Sequence, residues 1–184
     1  ISHRLHNIRE LLKKGFQVFI FDYRGYGKSK GRPSREGVYL DGLAAYDYLR
    51  NRLGIPPDRI ILFGRSLGAA VATEIAVQRQ ADRMILESAF TSTKAMARTM
   101  PLFALLSPLL PAHYNNLEKI KNIPIPKLII HGDRDEIIPF AMGEALFGTA
   151  PEPKAFYAIQ GAGHNDTWVV GGKQYFETLG QFMQ

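Results

Sequence analysis

The sequence predicts an α/β fold, a mostly parallel sheet flanked by helices. Three observations carry that expectation. Short apolar runs at Phe16 to Phe21, Ile60 to Phe63, Arg83 to Leu86, Pro126 to Ile130 and Lys154 to Ile159 read as strands. Segments with helical spacing lie between most of them, the alternation a parallel sheet needs. One run, Ile60 to Phe63, passes into Gly64-Arg65-Ser66-Leu67-Gly68 and then into the small residues Ala69-Ala70-Val71-Ala72. A Gly-x-Ser-x-Gly placed between a strand and a helix is a nucleophile elbow. The serine must take a strained backbone angle to present its hydroxyl, and the glycines let strand and helix pass closely. A helix starting at Leu67 would aim backbone N–H groups and its positive dipole end at a developing oxyanion.

Each element has a local reason. Leu5 to Lys14 puts Leu5, Ile8, Leu11 and Leu12 at helical spacing, and Gly15 is a natural stop. Phe16 to Phe21 then reads as a buried strand ending at Asp22. Val38 to Leu53 is an amphipathic helix closed by Gly54, and Pro56-Pro57-Asp58 turns the chain into the second strand. The elbow helix runs to about Arg79, before the third strand. Residues 91–122 hold apolar clusters broken by Pro101, Pro108 and Pro111. That stretch is too irregular for the sheet and too apolar for a free loop. It is either a small helical lid over the strand ends or a long crossover connection. Phe140 to Phe147 and Lys173 to Met183 are the last two helices.

Composition narrows the function. The chain has 184 residues, 46% of them hydrophobic, which suits one domain over residues 1–184. It has no cysteine, so disulfides, thiolate catalysis and cysteine zinc sites are excluded. No run reaches the roughly 18 continuous apolar residues of a membrane helix. The net charge of +6 comes from scattered basic residues, with small groups such as Arg24, Lys28, Lys30, Arg32 and Arg35. That distribution argues against nucleic-acid binding and allows a weak attraction to acidic surfaces. Gly27-Lys28-Ser29 after a strand suggests a phosphate loop. However, Asp22 stands where that motif needs glycine, and turn-forming residues follow where it needs a helix. Asp133-Arg134-Asp135 hints at calcium, but the glycine and glutamate of an EF-hand are absent. No metal and no cofactor are expected.

Functional loops gather at the carboxyl ends of such strands. Ser66 follows the second strand, Asp133 and Asp135 follow the fourth, and His164 follows the fifth. Serine needs a base to become a nucleophile, histidine supplies one, and a carboxylate fixes the imidazole tautomer. Asp135 is favoured over Asp133 as that carboxylate, and Asp166 lies too close to His164 to orient its ring. His131 ends a strand and is assigned a structural role.

Together, Asp22-Tyr-Arg-Gly-Tyr-Gly-Lys-Ser29, Gly64-Arg-Ser-Leu-Gly68, His131-Gly-Asp-Arg-Asp-Glu-Ile-Ile-Pro139 and Gly163-His164 resemble the α/β-hydrolase superfamily. The branch they are most similar to holds bud-emergence-type hydrolases and protein depalmitoylases. The resemblance implies a triad of Ser66, His164 and Asp135, with the Leu67 N–H as one oxyanion donor. It implies a serine hydrolase acting on carboxylic esters or thioesters through an acyl-enzyme, without cofactor. Family members carry upstream strands and a His-Gly loop giving a second oxyanion donor. The chain starts at Ile1-Ser2-His3-Arg4, after that loop, so an N-terminally incomplete domain is expected. An open sheet edge then invites a homo-oligomer. The chain is expected to be soluble, in the cytoplasm or, if an upstream anchor precedes it, peripherally associated with a membrane. In the lid, Leu102, Phe103 and Leu106, with Leu105 and Leu109, favour a small-molecule or lipid-like acyl substrate. Two other readings stand beside this one: a serine peptidase or amidase, and a non-catalytic interaction domain that lost its oxyanion loop.

Overall fold

Four of the five apolar runs become strands: β1 (Ile61–Arg65), β2 (Arg83–Glu87), β3 (Lys127–Gly132) and β4 (Lys154–Ile159). The computed structural model describes residues 5–99, 107 and 113–184. The strands pair side by side, all parallel, in the order β1-β2-β3-β4. Around them lie α1 (Leu5–Lys13), α2 (Arg35–Asn51), α3 (Leu67–Gln78), α4 (Thr93–Thr99), α5 (Asn116–Ile120), α6 (Phe140–Thr149), α7 (Thr167–Val170) and α8 (Gly172–Met183). The short helix α7 has no counterpart in the sequence reading.

Strand alternation makes two cores. Leu62, Met84, Leu86 and Ile129 face one side, where Val38 of α2, Val71 and Ile75 of α3 and Leu146 of α6 meet them. Ile85, Leu128, Ile130 and Ile159 face the other, against Leu11 of α1 and Tyr175 and Leu179 of α8. Met84, Ile85 and Leu86 are all fully buried, as a parallel strand covered on both faces must be. Burying each such side chain contributes about 1.5–3 kcal/mol. The side chain of Ser34 caps α2 by accepting the Gly37 N–H at 3.0 Å, so the helix starts three residues before the amphipathic pattern does.

The run Phe16 to Phe21 is the exception to the sequence reading, because it takes no place in the sheet. The Phe16 N–H bonds back to the Leu11 carbonyl at 3.2 Å. Phe19 and Ile20 stay exposed, with Phe19 stacked on Tyr48 of α2. A groove lined by Phe19, Phe21, Ile61 and Phe63 separates this run from β1. A strand exists through its ladder to a neighbour, and no described strand fills that groove. Among the described residues β1 therefore keeps one unpaired edge, with Phe63 37% exposed in mid-strand.

The ends of the suspected lid are tied together. Asn116 Nδ2 donates to the Phe90 carbonyl at 2.9 Å, and the Thr93 N–H donates to the His113 carbonyl at 3.0 Å. Leu102, Phe103, Leu105, Leu106 and Leu109 lie outside the described residues. No helix among the described residues is long and apolar enough to cross a membrane.

Strand β1 meets α3 without a side chain between them. A Cβ on Gly64 would lie 2.2 Å from the Gly68 carbonyl oxygen, a backbone atom that cannot swing aside. Gly64→Ala is therefore expected to cost about 3 kcal/mol. In a thermal melt that would be a midpoint lowered by about 6 °C or more.

Candidate active site

Three strand ends supply the site. At the first, Ser66 sits between β1 and α3 at φ 53°, ψ −119°. Such an angle costs a non-glycine residue about 1–3 kcal/mol and persists only where the surroundings hold it. Here the Gly64 contact holds it, together with a 3.0 Å bond from the Ser66 N–H to the Glu87 carbonyl. The side chain does not cap its own helix, and among the described residues the hydroxyl makes no hydrogen bond. Ser66 is half-buried, so a substrate can reach it. Leu67 opens α3, and the first N–H groups of a helix have no acceptor within it.

At the second strand end, β3 finishes in Gly132 and the chain turns through Asp133 to Asp135. Asp135 is buried. Its Oδ1 accepts the N–H groups of Ile137 at 2.9 Å and Ile138 at 2.7 Å. Its Oδ2 accepts from His164 Nδ1 at 2.8 Å, and His131 Nε2 stands 3.4 Å from the same oxygen. Burial opposes ionisation of this carboxyl. Hydrogen bonds from His131, His164 and the Ile138 and Ile137 amides outweigh burial and hold it far below the usual carboxylate range.

The third strand end brings the histidine. A Cβ on Gly132 would lie 2.3 Å from the Ala162 carbonyl, so glycine lets the loop after β4 settle onto the end of β3. The His164 N–H donates to Glu136 Oε2 at 3.1 Å, and its carbonyl accepts from the Arg65 guanidinium. With Nδ1 donating to Asp135, Nε2 is the nitrogen left to take a proton.

The two competing aspartates have other partners. Asp133 Oδ1 accepts the Gly161 N–H at 2.6 Å, and Asp166 Oδ1 accepts the Gly163 N–H at 2.7 Å. Both shape the histidine loop from its backbone. His131 does more than the structural role assigned to it. Its Nε2 donates to the Ile138 carbonyl at 2.9 Å and also faces Asp135, so it braces the carboxylate that His164 uses. Sequence reasoning also missed Tyr23, Arg65, Glu87 and Glu136. The Tyr23 hydroxyl borders the elbow at Gly68, and burial, with Asp41 nearby, pushes it up to about 12. It therefore stays a protonated donor near neutrality. The one signal for Glu87 was a charged residue closing an otherwise apolar run.

A family model described as serine aminopeptidase, S33, matches residues 2–121. The chain belongs to this family of the α/β-hydrolase superfamily. It is 39% identical over 169 residues to an uncharacterized protein of Mycobacterium tuberculosis, covering 92% of this chain and 60% of that protein. It is 38% identical over 168 residues to the human alpha/beta hydrolase domain-containing protein 17B, covering 90% of this chain and 56% of that protein. The chain thus spans about 60% or less of the length of these relatives. Its fold matches that of the Pyrococcus furiosus esterase Pf2001 with a TM-score of 0.77 and 26% identity, over 99% of this chain and 75% of that one.

Because the Asp135 carboxyl is held low in the folded state, its ionised form stabilises the protein above about pH 4, the unfolded carboxylate range. That contribution fades as the pH falls below it. Asp135→Asn is expected to lower the unfolding midpoint clearly at pH 7, with a smaller gap from the parent protein at pH 3.5. Urea unfolding at the two pH values measures both gaps.

Proposed function

We propose that this chain is a serine hydrolase that cleaves carboxylic ester or thioester bonds by acyl transfer. The observation that carries the proposal is the 2.8 Å bond between His164 Nδ1 and buried Asp135, in a loop whose His164 carbonyl is bound by Arg65, the neighbour of a strained, half-buried Ser66 whose hydroxyl makes no hydrogen bond among the described residues. No structural task accounts for an unbonded hydroxyl held at an unfavourable backbone angle.

In this mechanism Ser66 Oγ attacks the substrate carbonyl carbon while His164 Nε2 takes the hydroxyl proton. Asp135 keeps the imidazole in the required tautomer and stabilises the imidazolium. The carbonyl oxygen gathers negative charge beside the Leu67 N–H, at the positive end of α3. His164 then passes its proton to the departing alcohol or thiol, leaving the acyl group on Ser66. A water molecule gives a proton to His164 as its oxygen bonds to the acyl carbon; the bond to Ser66 Oγ then breaks, His164 returns the proton to Oγ, and the acid leaves. In this reading Ser66 is made reactive by His164 acting as its base.

The Pyrococcus furiosus protein with this fold is described as an esterase, which supports the ester reading. The matched family is described as a serine aminopeptidase, which favours amide cleavage as the second reading. Kinetics on p-nitrophenyl esters beside aminoacyl p-nitroanilides separate the two. Leu102, Phe103 and Leu106 extend the proposal to acyl chains on composition alone. Polar substitutions there should lower turnover of long-chain esters more than of acetyl esters, and equal losses would remove that extension.

The decisive experiment is labelling by a fluorophosphonate probe. Ser66 is expected to be labelled in the parent protein and Ser66→Ala to show no labelling. Asp135→Asn should slow labelling by about 10³–10⁴-fold. A folded parent protein that takes no probe would instead make this an interaction domain.

A further inference from the structure

The sheet order sets a distance problem. Ser66 caps β1, and His164 follows β4, three strand spacings away. Adjacent strands lie about 4.8 Å apart, so the two ends are about 14 Å apart. The histidine loop must reach back over β2 and β3. Asp135, at the end of β3, orients the ring but accounts for only the first part of that reach. From this geometry we infer that Arg65 and Glu87 are positioning residues that draw the His164 loop across the sheet to Ser66, an assignment resting on the triad reading above.

Arg65 is the residue before the nucleophile. Its side chain is only 10% exposed. Its guanidinium donates to the His164 carbonyl, and to Asn165 Oδ1 at 3.3 Å. The nucleophile's own strand therefore grips the peptide of the histidine. Arg65 Nε stands 3.5 Å from Glu87 Oε1, and the two residues are cross-strand partners in the β1–β2 register.

Glu87 completes the link. It is 1% exposed at the end of β2. Its carboxylate accepts the Thr167 hydroxyl, and the Tyr175 hydroxyl at 2.9 Å. Thr167 opens α7 and Tyr175 lies in α8, so both belong to the segment that follows His164. The Glu87 carbonyl meanwhile accepts the Ser66 N–H at 3.0 Å. One residue thus holds the nucleophile by its main chain and the histidine segment by its side chain.

The residue types suit that task. A buried carboxylate needs donors on its lone pairs and a balancing charge; two hydroxyls donate to Glu87, and the Arg65 guanidinium stands 3.5 Å away as its ion partner. Arginine presents several donors in a rigid planar fork, so it can bind a carbonyl, an amide oxygen and a carboxylate at fixed angles. Lysine offers a point charge on a flexible stem and can replace only part of this.

The test compares Arg65→Gln, Glu87→Gln and Arg65→Lys with the parent protein. Ester kinetics are normalised to active sites titrated with fluorophosphonate. Both glutamine variants are expected to lower kcat about 10–100-fold with KM changed less than twofold, since a displacement near 1 Å can cost about 10²-fold. Arg65→Lys should recover part of the loss. Unchanged kcat per titrated site, with only a lower melting temperature, would overturn the assignment and leave a structural ion pair. A second readout needs no turnover: the proton NMR signal of the His164 Nδ1–H bonded to Asp135. It should be sharp in the parent protein and broadened or lost in Arg65→Gln, with circular dichroism showing the fold retained. An unchanged signal would overturn the inference. A parent protein that takes no probe would sink the hydrolase reading, while the NMR comparison would still decide whether Arg65 positions His164.

Discussion

The contact between Gly64 and Gly68 governs the arrangement of everything above the sheet. With no side chain at either position, α3 leaves β1 at a distance where a methyl group would overlap the Gly68 carbonyl. That closeness leaves Ser66 one conformation, at φ 53°, and lifts its hydroxyl off the end of the strand. The same turn places the start of α3, with its unpaired first N–H groups, directly after Ser66. Strain at Ser66 is tolerated because Ala69, Ala70 and Val71 are packed at 0–2% exposure directly behind it. Core packing and site geometry are, at this point of the chain, the same interaction.

A second constraint is charge. The carboxyl ends of β2 and β3 carry Glu87 and Asp135, both buried, and an unpaired buried carboxylate is costly. Each is satisfied differently. Asp135 takes two backbone amides and two imidazoles. Glu87 takes two hydroxyl hydrogen bonds and an ion pair with the Arg65 guanidinium. The partners come from the loops and helices that must be brought together, so satisfying the carboxylates assembles the site. His131 serves the first of them from the strand β3 itself. Without it, Asp135 would have only one imidazole to offset its burial.

Much of this was legible in the chain. The elbow, the order of serine, aspartate and histidine, and the preference for Asp135 followed from strand ends and loop chemistry. Local patterns carried them because each residue sits next to the strand that positions it. The Phe16 to Phe21 run shows the limit. Its sequence suits a strand, but a strand needs a neighbour, and pairing is a property of the whole sheet. Arg65 and Glu87 mark a second limit. Nothing local distinguishes a buried arginine before Ser66 from an exposed one. Their partners are 99 and 80 residues away in the chain. His131 was read as structural because its neighbour Gly132 accounted for the turn, while its contact with Asp135 depends on how the following loop folds back.

The histidine loop illustrates why such contacts matter beyond stability. His164 is fixed at three points by two parts of the chain, the loop after β3 and the end of β1. Asp135 holds the ring, Glu136 holds its N–H, and Arg65 holds its carbonyl. A ring held only through Nδ1 could still pivot about that bond, and Nε2 would sweep an arc over the strand ends. Fixing both sides of the peptide removes that freedom, because the position of Cβ is then set before the ring is placed. The carbonyl anchor comes from the residue adjoining Ser66, so movement of the elbow carries the histidine with it. Among the described residues the Ser66 hydroxyl makes no hydrogen bond. What these contacts set is the relative placement of the Ser66 and His164 backbones.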